Sequence, residues 1–129
     1  KILLLHGDTL CTDDHEYQNF RSMVRSNIWQ KEMLSKSLEE RLAIANNLRE
    51  KSIEANKLKG EEIMDVNNAE VVNIIEKYRP DVIIHGHTHR PNIHRHNKVI
   101  RYVLGDWYKN FFILTYDNDK FYINKGLLK

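Results

Sequence analysis

Two short aliphatic runs, KILLLHG at residues 1–7 and DVIIHG at 81–86, each end in His-Gly and constrain the fold more than any other feature of the chain. Neither alternates apolar with polar residues, so each reads as a strand covered on both faces, as in a parallel sheet flanked by helices. A long helical pattern separates them, which is the order of a βαβ unit. The expected class is therefore α/β. In open parallel sheets, ligands gather beyond the carboxyl ends of the strands. His6 and His85 both stand at that edge and are expected to converge.

The intervening residues carry clear punctuation. TDDHEYQNFRSMVRS offers Thr12 or Asp13 as an N-cap and places Tyr17, Phe20, Met23 and Val24 on one stripe. NIWQKEML adds Ile28, Trp29, Met33 and Leu34. Ser37 and Glu40 form a capping box for a longer helix, whose Leu38, Leu42, Ala45 and Leu48 are expected to point inward and which Gly60 ends. One more helix, NNAEVVNIIEKYRP, stops at Pro80. After the second aliphatic run, KVIRYVLGDW, FFILTYD and KFYIN read as antiparallel strands, with a tight turn at DNDK.

At 129 residues the chain is one domain at most, long enough for a core, and it opens on Lys1 inside an apolar strand. That beginning suggests the later part of a longer protein, with an upstream half missing. A net charge of +2 gives no electrostatic footprint for nucleic acid. The single cysteine, Cys11, excludes an internal disulfide and suits a reducing compartment. No apolar stretch approaches the roughly 20 residues of a membrane span.

Chemistry concentrates in IIHGHTHRP, where His85, His87 and His89 alternate over five residues. Imidazole is the commonest metal ligand among side chains and suits manganese, iron, zinc and nickel. Alternate residues of an extended strand face opposite ways, so His85 and His87 share one metal only where the chain bends, which Gly86 permits; otherwise they reach two neighbouring metals. The bland alternative is a solvated polar loop, and His94 and His96 are expected to be that. For His6 the alternative is a strand-end histidine without a ligand role.

GHTH after an aliphatic strand, paired with an upstream HGD, resembles the calcineurin-like metallophosphoesterase superfamily. More closely, LLLHGDTLCTDDHEYQNFR, REKSIEAN, IMDVN and IIHGHTHRP…RYVLGDW resemble the UDP-2,3-diacylglucosamine diphosphatases of lipid A biosynthesis, across nearly the whole chain. The resemblance implies an α/β sandwich, of which residues 1–129 are a C-terminal portion, with a helical cap at about 14–60. It implies hydrolysis of the pyrophosphate bond of UDP-2,3-diacylglucosamine to UMP and 2,3-diacylglucosamine 1-phosphate (lipid X) at a two-metal centre, typically Mn2+. By motif match His6 and His85 resemble ligands of one metal and His87 a ligand of the other. The family's remaining ligands, including a bridging aspartate, belong to upstream motifs absent from this sequence. At most one weakly held metal and no useful turnover are therefore expected of residues 1–129 alone.

The same resemblance gives Asp14, Ser52, Asn56, Lys59 and His85 substrate contacts, with Arg49 a further candidate. Arg49, Ser52, Asn56 and Lys59 lie three or four apart and share a helix face, which a phosphate would suit. Asp8 is positioned to orient His6, or else simply forms a turn. The aromatic and methionine stripes are ordinary core by default, or an apolar cleft for two acyl chains under the resemblance. With Arg21, Arg25, Lys31 and Lys36 nearby, the implied location is cytoplasmic, peripheral on the inner-membrane surface. Two other readings stand beside this one: a calcineurin-like phosphodiesterase acting on a soluble nucleotide, and a non-catalytic metal-binding or assembly module.

Overall fold

A computed structural model describes residues 1–60 and 62–128 and separates into two compact units, Lys1–Leu10 with Val66–Lys129, and Cys11–Asp65. The class is α/β, as the aliphatic runs require. In the first unit, β1 (Ile2–Leu4) pairs in parallel with β2 (Val82–His85), Ile2 against Val82 and Leu4 against Ile84. The helix leading into β2, α4 (Asn68–Tyr78), is N-capped by Asn67 and closed by Arg79 in the left-handed conformation, immediately before Pro80. Its Val71 is fully buried and joins Leu10, Val82, Ile83, Tyr102 and Val103 in the core.

Two further strands complete a four-stranded sheet in the order β1-β2-β4-β3. β3 (Asn92–His96) and β4 (Val99–Val103) form an antiparallel hairpin that turns at Asn97, whose φ is +53°. The expected antiparallel character holds for β4 against β3, but β4 also runs parallel to β2 on its other side and lies in a different sheet from the last two strands. One expectation is corrected. His94 and His96 belong to a strand and are half-buried, not solvated loop. The polar make-up of NIHRH hides an edge strand that pairs along one side with β4. The last hairpin, β5 (Asn110–Asp117) with β6 (Lys120–Leu127), turns through Asn118 and Asp119, both at positive φ, as DNDK leads one to expect. On β1, Leu3 is half-buried while Leu4 is 71% exposed.

The second unit is helical, and the helical stretch expected over 14–60 falls within it. It contains α1 (His15–Val24), α2 (Asn27–Ser35) and α3 (Leu38–Leu58). Ser26 caps α2, and Ser37 caps α3 with Glu40 returning the bond, a complete capping box. The Glu40 carboxyl is held below its usual range by the Ser37 backbone N–H and then the Ser37 hydroxyl. The α1 cap is Asp14, neither Thr12 nor Asp13. Gly60 takes no left-handed conformation, and the last turn is capped instead by extended Lys59. Leu38, Leu42 and Ala45, expected inside, are exposed, and none of the three helices buries a residue completely. Periodicity identifies a shared face but does not supply a partner for it. Among the described residues no helix is long and apolar enough to cross a membrane.

Candidate functional site

The parallel strands deliver their histidines to one edge. His6 follows β1, His85 ends β2, and the Gly86 N–H donates to the His6 carbonyl at 3.0 Å. The His6 and His87 rings lie 4.9 Å apart, tilted by 55°. His6 is largely exposed, with its Nδ1 3.4 Å from Oδ1 of buried Asp8, the place of an orienting carboxylate. Asp8 opens a single 3-10 turn (Asp8–Leu10) that is closed by the Leu10 N–H donating to the Gly7 carbonyl.

The bend after β2 is made differently from the sequence expectation. Gly86 is not at positive φ; His87 is, at +65°, and His89 follows at +54°. Two non-glycine residues in the left-handed region within three positions mark a loop held by its surroundings. The glycine that matters is Gly7, at φ +112°, where a Cβ would lie 2.8 Å from His85 Nδ1 and 2.9 Å from the Gly86 carbonyl oxygen. In the same loop Thr88 Oγ1 is buried with no hydrogen-bond partner among the described residues. His89 stands 3.8 Å from Asp106 and edge-on to Tyr108.

His85 is 2% exposed and is held from behind. Arg101, itself 3% exposed on β4, places Nη1 2.9 Å from His85 Nε2 and donates through Nε to His96 Nε2 at 3.3 Å. Burial, and then the Arg101 charge, depresses the His96 pKa below its ordinary value. Arg101 was not identified from the sequence, although a lone charge inside KVIRYVL was a usable signal of a buried, partnered cation.

Does this edge fit a two-metal centre? The imidazoles are suitable donors, and the orphaned Thr88 hydroxyl awaits polar company. Yet among the described residues no three His, Cys, Asp or Glu side chains close on a common point. The carboxylate recorded beside them is that of Asp8, 3.4 Å from His6, while His85 Nε2 lies 2.9 Å from a guanidinium nitrogen of Arg101. Two adjacent divalent cations repel strongly without an anionic bridge. As placed, these residues do not complete such a centre.

In the helical unit Asp14, Ser52, Asn56 and Lys59 come together. Asp14 Oδ1 accepts from the Tyr17 N–H at 3.0 Å and from Lys59 Nζ at 2.7 Å, and Oδ2 accepts from the same ammonium at 3.0 Å. Glu16 adds a second carboxylate 3.3 Å from Lys59. Burial alone would lower the Lys59 pKa, but the hydrogen bonds that its ammonium donates to Asp14 and Glu16 outweigh it and raise it. A cleft of about 230 Å3 opens beside this cluster, with Tyr17, Phe20 and Leu48 as apolar wall and Ser52, Asn56 and Lys59 as polar end. Arg49 is not among the residues lining this cleft, nor are Trp29, Met33 and Leu34. Lys59 is already engaged by two carboxylates. The Ser52 hydroxyl and the Asn56 amide stand beside it at the polar end.

Comparison with known proteins identifies kin for both units. The chain is 50% identical over 111 residues to UDP-2,3-diacylglucosamine hydrolase of Bordetella pertussis, covering 83% of this chain and 43% of that one. It is 46% identical over 110 residues to the enzyme of the same name from Chromohalobacter salexigens (82% and 45%), and 46% over 111 residues to that of Haemophilus influenzae (86% and 47%). Over the matched residues this chain is a member of the UDP-2,3-diacylglucosamine hydrolase family. No protein-family model matches it. The chain spans about half the length of the UDP-2,3-diacylglucosamine hydrolases it matches.

Proposed function

We propose that the chain is part of an enzyme that hydrolyses the pyrophosphate bond of UDP-2,3-diacylglucosamine, releasing UMP and 2,3-diacylglucosamine 1-phosphate. The observation that carries this reading is the kinship of 46–50% with hydrolases named for that substrate, over more than four-fifths of the chain. Two features support it. Imidazoles gather at the carboxyl edge of parallel strands, where phosphoryl chemistry is usually sited in such sheets. The cleft of the helical unit joins an apolar wall to a polar end, which suits acyl chains attached to a sugar. The same apolar wall disfavours the soluble-nucleotide alternative.

His6, His85 and His87 are the residues proposed to hold metal, with Mn2+ the expected ion, two in an intact site and at most one, weakly, here. A divalent cation there would act as Lewis acid toward the phosphate and lower the pKa of bound water. Because these imidazoles bring no negative charge, the reading also requires carboxylate ligands from elsewhere, and an upstream half of the same protein is the proposed partner. Asp14, Ser52, Asn56 and Lys59 are proposed to contact the acylated sugar, and His85 the phosphate end. Exposed Ile28 and Leu34, with Arg25 and Lys31 nearby on the helical unit, support peripheral contact with an anionic membrane surface, the cytoplasmic face of the inner membrane.

A UMP-release assay on UDP-2,3-diacylglucosamine with added Mn2+ tests this reading. Turnover is expected of the chain combined with the rest of a relative-length protein and not of residues 1–129 alone. Turnover of soluble nucleotide diesters at comparable rates, with none on the lipid substrate, would overturn it.

A further inference from the structure

We infer that Arg101 fixes the tautomer of His85 and competes with a divalent cation for its ring lone pair. A guanidinium has only N–H donors and accepts nothing. At 2.9 Å from His85 Nε2, Nη1 must therefore donate, and Nε2 must present a lone pair. The remaining proton then sits on Nδ1, which lies 3.0 Å from the Gly86 carbonyl oxygen and donates to it. Both nitrogens are engaged, and neither offers a lone pair outward.

The arrangement is anchored on more than one side. His96 Nε2 takes the Arg101 Nε–H, so two imidazoles accept from one guanidinium. Strand register places Arg101 opposite Ile83 in β2 and opposite His94 in β3, which fixes its reach to both histidines. On the Nδ1 side the Gly86 carbonyl holds the ring, and the Gly7 backbone passes so close that a Cβ there would lie 2.8 Å from Nδ1. A divalent cation would need that same lone pair, so as placed Arg101 opposes ligation by His85 and acts as a positioning residue for its ring.

The tautomer assignment stands on the hydrogen bonds alone; the competition rests on the proposed ligand role of His85. Long-range 1H–15N spectra of the labelled chain report each imidazole tautomer directly. Wild type is expected to show His85 as Nδ1–H, Arg101→Met to lose that preference, and Arg101→Lys to restore part of it. With Mn2+ as probe, paramagnetic broadening of the His85 ring is expected at about tenfold lower ion concentration in Arg101→Met. An Nε2–H ring in wild type, or an unchanged tautomer in Arg101→Met, overturns the assignment; if that variant fails to fold, the wild-type spectrum still decides. A changed tautomer with no earlier broadening overturns the competition and the ligand role together. Absence of lipid hydrolysis alone would touch only the proposed reaction.

Discussion

Lys59 Nζ lies 2.7 Å from Asp14 Oδ1, and the same carboxylate caps α1 by accepting the Tyr17 N–H. One oxygen thus serves a helix end and a cation 45 residues later, tying α1 to the end of α3. Both side chains are largely buried, so the pair is shielded from solvent screening.

Replacing Lys59 by Met is expected to cost about 1.5–3 kcal/mol, because a buried charged hydrogen bond is lost while its carboxylate stays. The pH dependence follows from the raised lysine pKa. A folded value above the unfolded one means the stabilisation is complete below about pH 10.5 and fades as pH rises through the folded value. Urea denaturation of wild type and Lys59→Met should differ at pH 7 and converge in strong alkali. Equal stabilities at pH 7 would remove the pair from the fold's support.

Why was this pair invisible in the sequence? Thr12, Asp13 and Asp14 are all good caps in a row, and local preference does not rank them. The choice is made by Lys59, a tertiary partner. The Ser37 and Glu40 capping box was legible because both of its halves are local. The helix stopped before Pro80 and the DNDK turn were legible for the same reason, while the parallel strands were legible from their unalternating aliphatic runs. Tyr17 and Phe20 were legible as a stripe that core or cleft could claim, whereas Leu48, read on the separate inward stripe of α3, joins them in the cleft wall only through tertiary packing. Arg101 escaped because its function depends on two histidines that come from different strands.

Gly7→Ala is expected to destabilise the chain by about 1–3 kcal/mol, since φ +112° is strained for any side chain and no space exists for a Cβ. The clash falls on His85 Nδ1, so the His85 ring resonances should move more than those of His94. Thermal melts and imidazole spectra check both parts. A wild-type melting temperature would show that the turn relaxes freely.

His87→Ala and His6→Ala are expected to weaken Mn2+ binding without a comparable loss of stability, because His6 is exposed and His87 is not fully buried. Counting free Mn2+ by its paramagnetic resonance signal should give at most one weakly held ion per wild-type chain, and fewer in each variant. Two tightly held ions would mean that the carboxylates thought to be required are not needed. Unchanged binding in both variants would dismiss the imidazole pair as a metal site.

The cleft makes a sharper claim about which apolar groups meet lipid. Phe20 and Leu48 form its wall, whereas Leu34 on α2 is 72% exposed and lies away from that lining. If an acyl chain occupies the cleft, covering about 60–100 Å2 of one ring at roughly 25 cal/mol per Å2 is worth about 1.5–2.5 kcal/mol, or about ten- to sixtyfold in affinity. Phe20→Ala should therefore weaken binding of a diacylated glucosamine phosphate by that factor. Leu48→Ala should follow with a smaller loss, and Leu34→Ala should change little. Binding of UDP-N-acetylglucosamine, which lacks long acyl chains, should be indifferent to all three. Circular dichroism separates a lost wall from a lost fold, because Phe20 is already partly exposed and its removal should leave helix content intact. Equal losses on both ligands, or a Leu34→Ala effect as large as that of Phe20→Ala, would move the acyl chains out of this cleft.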